Sequence, residues 1–167
     1  VDGIELDVQI TKDKILVVHH DPTLERLTGE QTQISSLNYE ELKNIDACGK
    51  SFPDVNFQYI PTLEEVLKSL PENIIINIEI KSQQIFSEGM ETPTVALIEK
   101  LKILERVVLS SFNPLVLRNL KKLNKNIMIA QLQDDDKPYS SFYWKYVSRP
   151  ELIHLNIDQI NKSSLKK

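Results

Sequence analysis

The chain has 167 residues, a formal net charge of −4, 41% hydrophobic and 26% charged residues, and one cysteine. That length and balance suit one globular domain with a real core, and argue against a disordered chain or a broadly basic nucleic-acid surface. Cys48 alone cannot form an intrachain disulfide, and no apolar run reaches the roughly 18–20 residues of a membrane span.

The chain opens at Val1-Asp2-Gly3, without Met or a signal peptide, and runs at once into a strand pattern. It therefore reads as a piece of a longer protein; the compartment is left open, with the cytoplasm slightly favoured. Gly3–Thr11 alternates, with Ile4, Leu6, Val8 and Ile10 on one face and Glu5, Asp7 and Gln9 on the other. Lys12-Asp13-Lys14 is a polar turn, and Ile15–Asp21 a second short strand that closes a hairpin. Residues 22–60 are irregular, punctuated by Pro22, Gly29, Gly49 and Pro53, with one short helix at Tyr39–Ile45.

From Thr62 the order becomes regular. Thr62 is an N-cap with Glu65 three residues on, a capping box, ahead of an apolar stripe of Leu63, Val66, Leu67 and Leu70. Ile74–Lys81 is a strand, Thr92–Leu104 a helix, Arg106–Phe112 a strand, and Pro114–Leu123 a helix opened by proline. Ile127–Gln133, a short helix at Ser140–Val147 and Leu152–Asp158 complete the series. Phe142, Tyr143 and Trp144 read as packing residues. This alternation predicts parallel βα units. It fits either an open doubly wound sheet or a closed α/β barrel, and the placement of the carboxylates favours the barrel.

Glu5 and Asp7 share one strand face, as do Asn77, Glu79 and Lys81 on another strand, each backed by aliphatic residues. In an α/β barrel the aliphatic face meets the helices, and polar groups near the strand C-termini face the lumen. Inward carboxylates need positive charge among them. A divalent cation supplies it, and three hard oxygen ligands suit Mg²⁺ or Ca²⁺. Taken singly, the same residues read as a solvated strand face and a sheet-edge ion pair. His20 sits where a general acid or base could work, or is a surface histidine in a turn opened by Asp21-Pro22; His19 faces the other way. Ser110 and Ser111 line the barrel mouth or cap the following helix. Gln131, Asn156 and Asp158 are strand-end polar residues with the same two readings.

The run from Asp2 to Gly29, with its E-x-D strand, T-K-D turn and H-D-x-x-L-x-R ending, resembles the signature block of the glycerophosphodiester phosphodiesterases. Ile60–Leu67 (IPTLEEVL) resembles that family's helix, Ile76–Lys81 (INIEIK) its E-x-K strand, and Leu109–Phe112 (LSSF) its S-F strand end. The resemblance implies a TIM-type (β/α)8 barrel and hydrolysis of glycerophosphodiesters to glycerol 3-phosphate and an alcohol. It implies metal ligation by Glu5, Asp7 and Glu79, a catalytic role for His20 and a phosphate contact from Lys81; Ser111 is expected to touch substrate.

The sequence departs from the family in three places. It has no H-R-G block carrying the second catalytic histidine, no W-T-x-N strand or final strand, and Leu27 where Thr is common. The expectation is therefore a partial barrel of about strands two to six, unstable or inactive alone, from an active full-length parent. Two alternatives stand beside it. One is a sphingomyelinase D-like or other phospholipid phosphodiesterase, which an exposed apolar loop near the mouth would support. The other is a non-catalytic barrel that binds a phosphodiester.

Overall fold

The computed structural model describes residues 2–48, 52, 54–82, 89–133 and 145–156. Its centre is a six-stranded sheet: β1 (Gly3–Ile10), β2 (Leu16–Val18), β3 (Ile75–Ile80), β4 (Val107–Ser111), β5 (Met128–Gln133) and β6 (Leu152–Leu155). The spatial order is β2-β1-β3-β4-β5-β6. Only the β1–β2 hairpin is antiparallel; every other pairing is parallel.

The helices in the first three crossovers between parallel strands are α3 (Leu63–Ser69), α4 (Glu91–Leu101) and α5 (Pro114–Leu123). Their apolar residues pack in one cluster with Leu6, Val8, Ile76, Ile78, Ile80, Leu109 and Ile129. All of those strand residues lie on the same face of the sheet, as the register requires. A doubly wound sheet divides its crossovers between two faces. Here the three share one face, and the other face carries Glu5, Asp7, Asn77, Glu79 and Ser110 on β1, β3 and β4, which is the arrangement of a partial (β/α)8 barrel.

The segment between β2 and α3 holds two short helices, α1 (Glu25–Thr28) and α2 (Tyr39–Leu42), and a 3-10 turn at Ile34–Ser36. It gathers a core of its own from Leu24, Ile34, Leu42 and Ile60, seated on Val17 of β2. The sequence predicts α2 but not α1, which has no side-chain cap at its start, whereas α2 opens on the Asn38–Glu41 capping box. Gly29 ends α1 in the left-handed region.

Local sequence rules account for the helix ends. At α3 the Glu65 amide donates to Thr62 Oγ1 (3.1 Å) and the Thr62 amide donates to Glu65 Oε2 (2.8 Å), the expected capping box. Asn113 caps α5 by accepting from the Leu115 amide (2.9 Å). The fourth helix stops at Leu101 rather than Leu104 because Lys102 turns left-handed (φ 57°). The expected helix at Ser140–Val147 is seen as α6 (Lys145–Ser148); Phe142, Tyr143 and Trp144 lie outside the described residues. The last strand ends at Leu155, and Asp158 also lies outside them.

Ile78 has no exposed surface and sits mid-strand between β1 and β4. Ile78→Ala should lower unfolding free energy by about 2–5 kcal/mol. Urea denaturation checks this, with an unchanged slope expected.

Candidate functional site

The parallel register of β1 and β3 sets Asp7 beside Glu79 and Glu5 beside Asn77, and β4 continues the first row with Ser110. All five lie on the face away from the helices. Each of Glu5, Asp7 and Glu79 offers a carboxylate oxygen within 4.8 Å of the others. Glu5 is exposed, Asp7 half-buried and Glu79 only 9% exposed. Lys81, just past the end of β3, places Nζ 2.9 Å from Asp7 Oδ1 and 2.9 Å from Glu79 Oε1. The structure thus brings together the three predicted carboxylates and the predicted lysine.

The electrostatics follow from that crowding. The Glu5 carboxyl is raised above the ordinary range by burial, then by repulsion from Asp7 and Glu79; Lys81 and His20 pull it down less. A carboxyl that binds its proton more tightly when folded favours the fold at acid pH. That contribution is lost as pH rises through the raised value. For Lys81, burial is the largest single influence and acts downward. The bonds to Glu79 and Asp7, and their charges, outweigh it, so its ammonium is held above the ordinary lysine range.

His20 is exposed, and its Nδ1 lies 2.6 Å from Asp21 Oδ1. Asp21 also accepts from Arg26 Nε (2.6 Å). The His20 bond first, then the Arg26 bond, lowers the Asp21 carboxyl. The ring is near enough to Glu5 to influence its charge, and Gln9 Nε2 donates to the His20 carbonyl (3.1 Å). His19 is the more buried of the two, its pKa is lowered by that burial, and its Nε2 has no partner.

Ser111 does not join the site. It is in register with the helix-facing residues, is buried, donates to the Ile80 carbonyl (2.9 Å) and accepts from the Asn113 amide (3.1 Å). The expected substrate contact is therefore a structural hydroxyl. Counting from Val107 and Leu109 would have shown this, since Ser111 continues their face and Ser110 the other. Gln131 is likewise internal: Nε2 donates to the carbonyls of Ser111 (3.2 Å) and Phe112 (3.0 Å), and Oε1 accepts from Ser148 (3.3 Å). Asn156 is exposed just past β6.

The model of the glycerophosphoryl diester phosphodiesterase family matches residues 1–161. The chain belongs to that family. A glycerophosphodiester phosphodiesterase of Caldanaerobacter subterraneus subsp. tengcongensis is 40% identical over 132 residues, 78% of this chain and 54% of that protein. One from Bacillus altitudinis is 38% identical over 148 residues, 87% and 60% of the two chains. The crystal structure of the Thermotoga maritima glycerophosphodiester phosphodiesterase aligns with a TM-score of 0.65 at 30% identity, covering 93% of this chain and 61% of that one. This chain therefore spans little more than half the length of the curated relatives it matches. Among its described residues, no helix is long and apolar enough to cross a membrane.

Replacing Lys81 by Met leaves Asp7 and Glu79 facing each other without a counter-charge. The group is half-buried, so the expected loss at pH 7 is about 1–2 kcal/mol, below the cost of breaking a fully buried pair. Urea denaturation of the variant and the wild type at pH 7 would measure the loss.

Proposed function

We propose that the chain carries the metal- and phosphate-binding part of a phosphodiesterase site that hydrolyses glycerophosphodiesters to glycerol 3-phosphate and an alcohol. The observation that carries this reading is the convergence of Glu5, Asp7 and Glu79 beside Lys81 on the polar face of the sheet. The donor set fits a hard divalent cation, Mg²⁺ or Ca²⁺: three carboxylates within reach of one point, with the unpartnered Oδ1 of Asn77 on the same face. Such an ion, when bound, offsets charge on the non-bridging oxygens of the diester in the transition state.

The chain's own residues supply the rest. Lys81 offers a second cation to a phosphoryl oxygen. Asp21, ionised and accepting at His20 Nδ1, fixes the ring and leaves Nε2 free to take or give a proton. Arg26, on the other Asp21 oxygen, holds that carboxylate in place. Proton transfer at the opposite oxygen needs a second group. In the family it belongs to the H-R-G block, which this sequence does not contain.

A second reading rests on the segment before α3. Phe52 is 61% and Phe57 53% exposed, and Val55 and Tyr59 are exposed beside them. Clustered apolar exposure marks an interaction surface. It favours a substrate with a lipid tail, such as a lysophospholipid, over a small head-group diester.

Release of glycerol 3-phosphate from glycerophosphocholine by the full-length enzyme, abolished by EDTA and by Glu79→Gln, is the expected result; turnover retained by Glu79→Gln would remove that residue from the site. Rates on lysophospholipid and glycerophosphocholine decide between the two substrates. If the lipid reading holds, Phe57→Ser slows the lysophospholipid reaction alone.

A further inference from the structure

We propose that Ser110, with Asn77, is a positioning residue that holds the water molecules completing the coordination of the cation at Glu5, Asp7 and Glu79. This rests on the metal reading above and adds two residues to it.

Buried polar atoms in native proteins are nearly always paired. Three side-chain atoms among the described residues are buried without a partner: His19 Nε2, Asn77 Oδ1 and Ser110 Oγ. Two of the three share the face that carries the carboxylates. Ser110 is 0% exposed and is the direct neighbour of Glu79 across β3 and β4. Adjacent strands lie about 4.8 Å apart, so the hydroxyl stands beside that carboxylate. Asn77 precedes Glu79 by two residues on the same strand and is the direct neighbour of Glu5.

The contrast with Ser111 sharpens the point. The two serines are consecutive and both buried. Ser111, facing the helices, both donates and accepts, whereas Ser110, facing the carboxylates, does neither. A buried hydroxyl at that place implies a partner that is not protein.

Coordination chemistry names the partner. Mg²⁺ takes six oxygen ligands and keeps several waters; Ca²⁺ takes six to eight. Three carboxylates leave positions open to water. Each bound water has protons to donate, and oxygens one shell out fix its orientation. Ser110 Oγ, across from Glu79 on the next strand, and Asn77 Oδ1, two residues before Glu79 on its own strand, are acceptors on the carboxylate face, and the serine hydroxyl can in turn donate to a carboxylate.

The experiment is titration calorimetry of MgCl₂ and CaCl₂ into the wild-type protein, Ser110→Ala, Ser110→Thr and Glu79→Gln, with metal-free melting curves for each. Ser110→Ala should bind about tenfold more weakly, while melting at the wild-type temperature or above, because it removes an unpaired hydroxyl. Ser110→Thr, which keeps the hydroxyl, should bind near the wild-type affinity. Equal affinity for Ser110→Ala and wild type overturns the inference and leaves the metal reading standing. So does a loss in Ser110→Thr as large as in Ser110→Ala, or a parallel fall in metal-free melting temperature. A wild-type protein that binds neither ion, like Glu79→Gln, overturns the metal reading and this inference with it.

Discussion

The register between two parallel strands is the constraint on which the site depends. Asp7 stands beside Glu79 because Leu6, Val8, Ile78 and Ile80 must all reach the helix layer. A slip of one residue would turn those aliphatic side chains away from the core and the carboxylates into it. Burial of the apolar face therefore places the acidic one, and the charge cluster costs no separate positioning device. Lys81, two residues past Glu79 on the same face, then sits between the two acids it must balance.

The crossovers add the second constraint. With α3, α4 and α5 on one face, the other is left to Glu5, Asp7, Asn77, Glu79 and Ser110. The segment between β2 and α3 closes its own small core over Val17, so it can vary without disturbing the main cluster. The same segment presents Phe52 and Phe57 to solvent, a feature the main core has no part in fixing.

Much of this was legible in the amino-acid order. Alternation in β1 and in β3 assigns Glu5, Asp7, Glu79 and Lys81 to one face, and the Thr62 capping box starts α3 where the rules place it. The family resemblance named on those residues agrees with the family match. What periodicity could not supply was pairing between distant strands. Alternation within β4 separates the faces of Ser110 and Ser111, but only the pairing of β3 with β4 shows that Ser110 stands beside Glu79. Strand-end polarity left two readings open at Gln131, and its amide, which ties neighbouring backbone carbonyls together, fits the structural one. The placement of the carboxylates already favoured the barrel over an open sheet, and the common face of the helices agrees with it.

The lysine between the acids has a consequence for how the centre would fill. An ammonium spans Asp7 and Glu79, so entry of the proposed dication there would exchange one positive charge for two. The side chain released by that exchange is long, flexible and still charged, and an incoming phosphate is its nearest chemical match. Loading of the centre and recruitment of the anion would then be thermodynamically linked, each favouring the other through a single displaced amine.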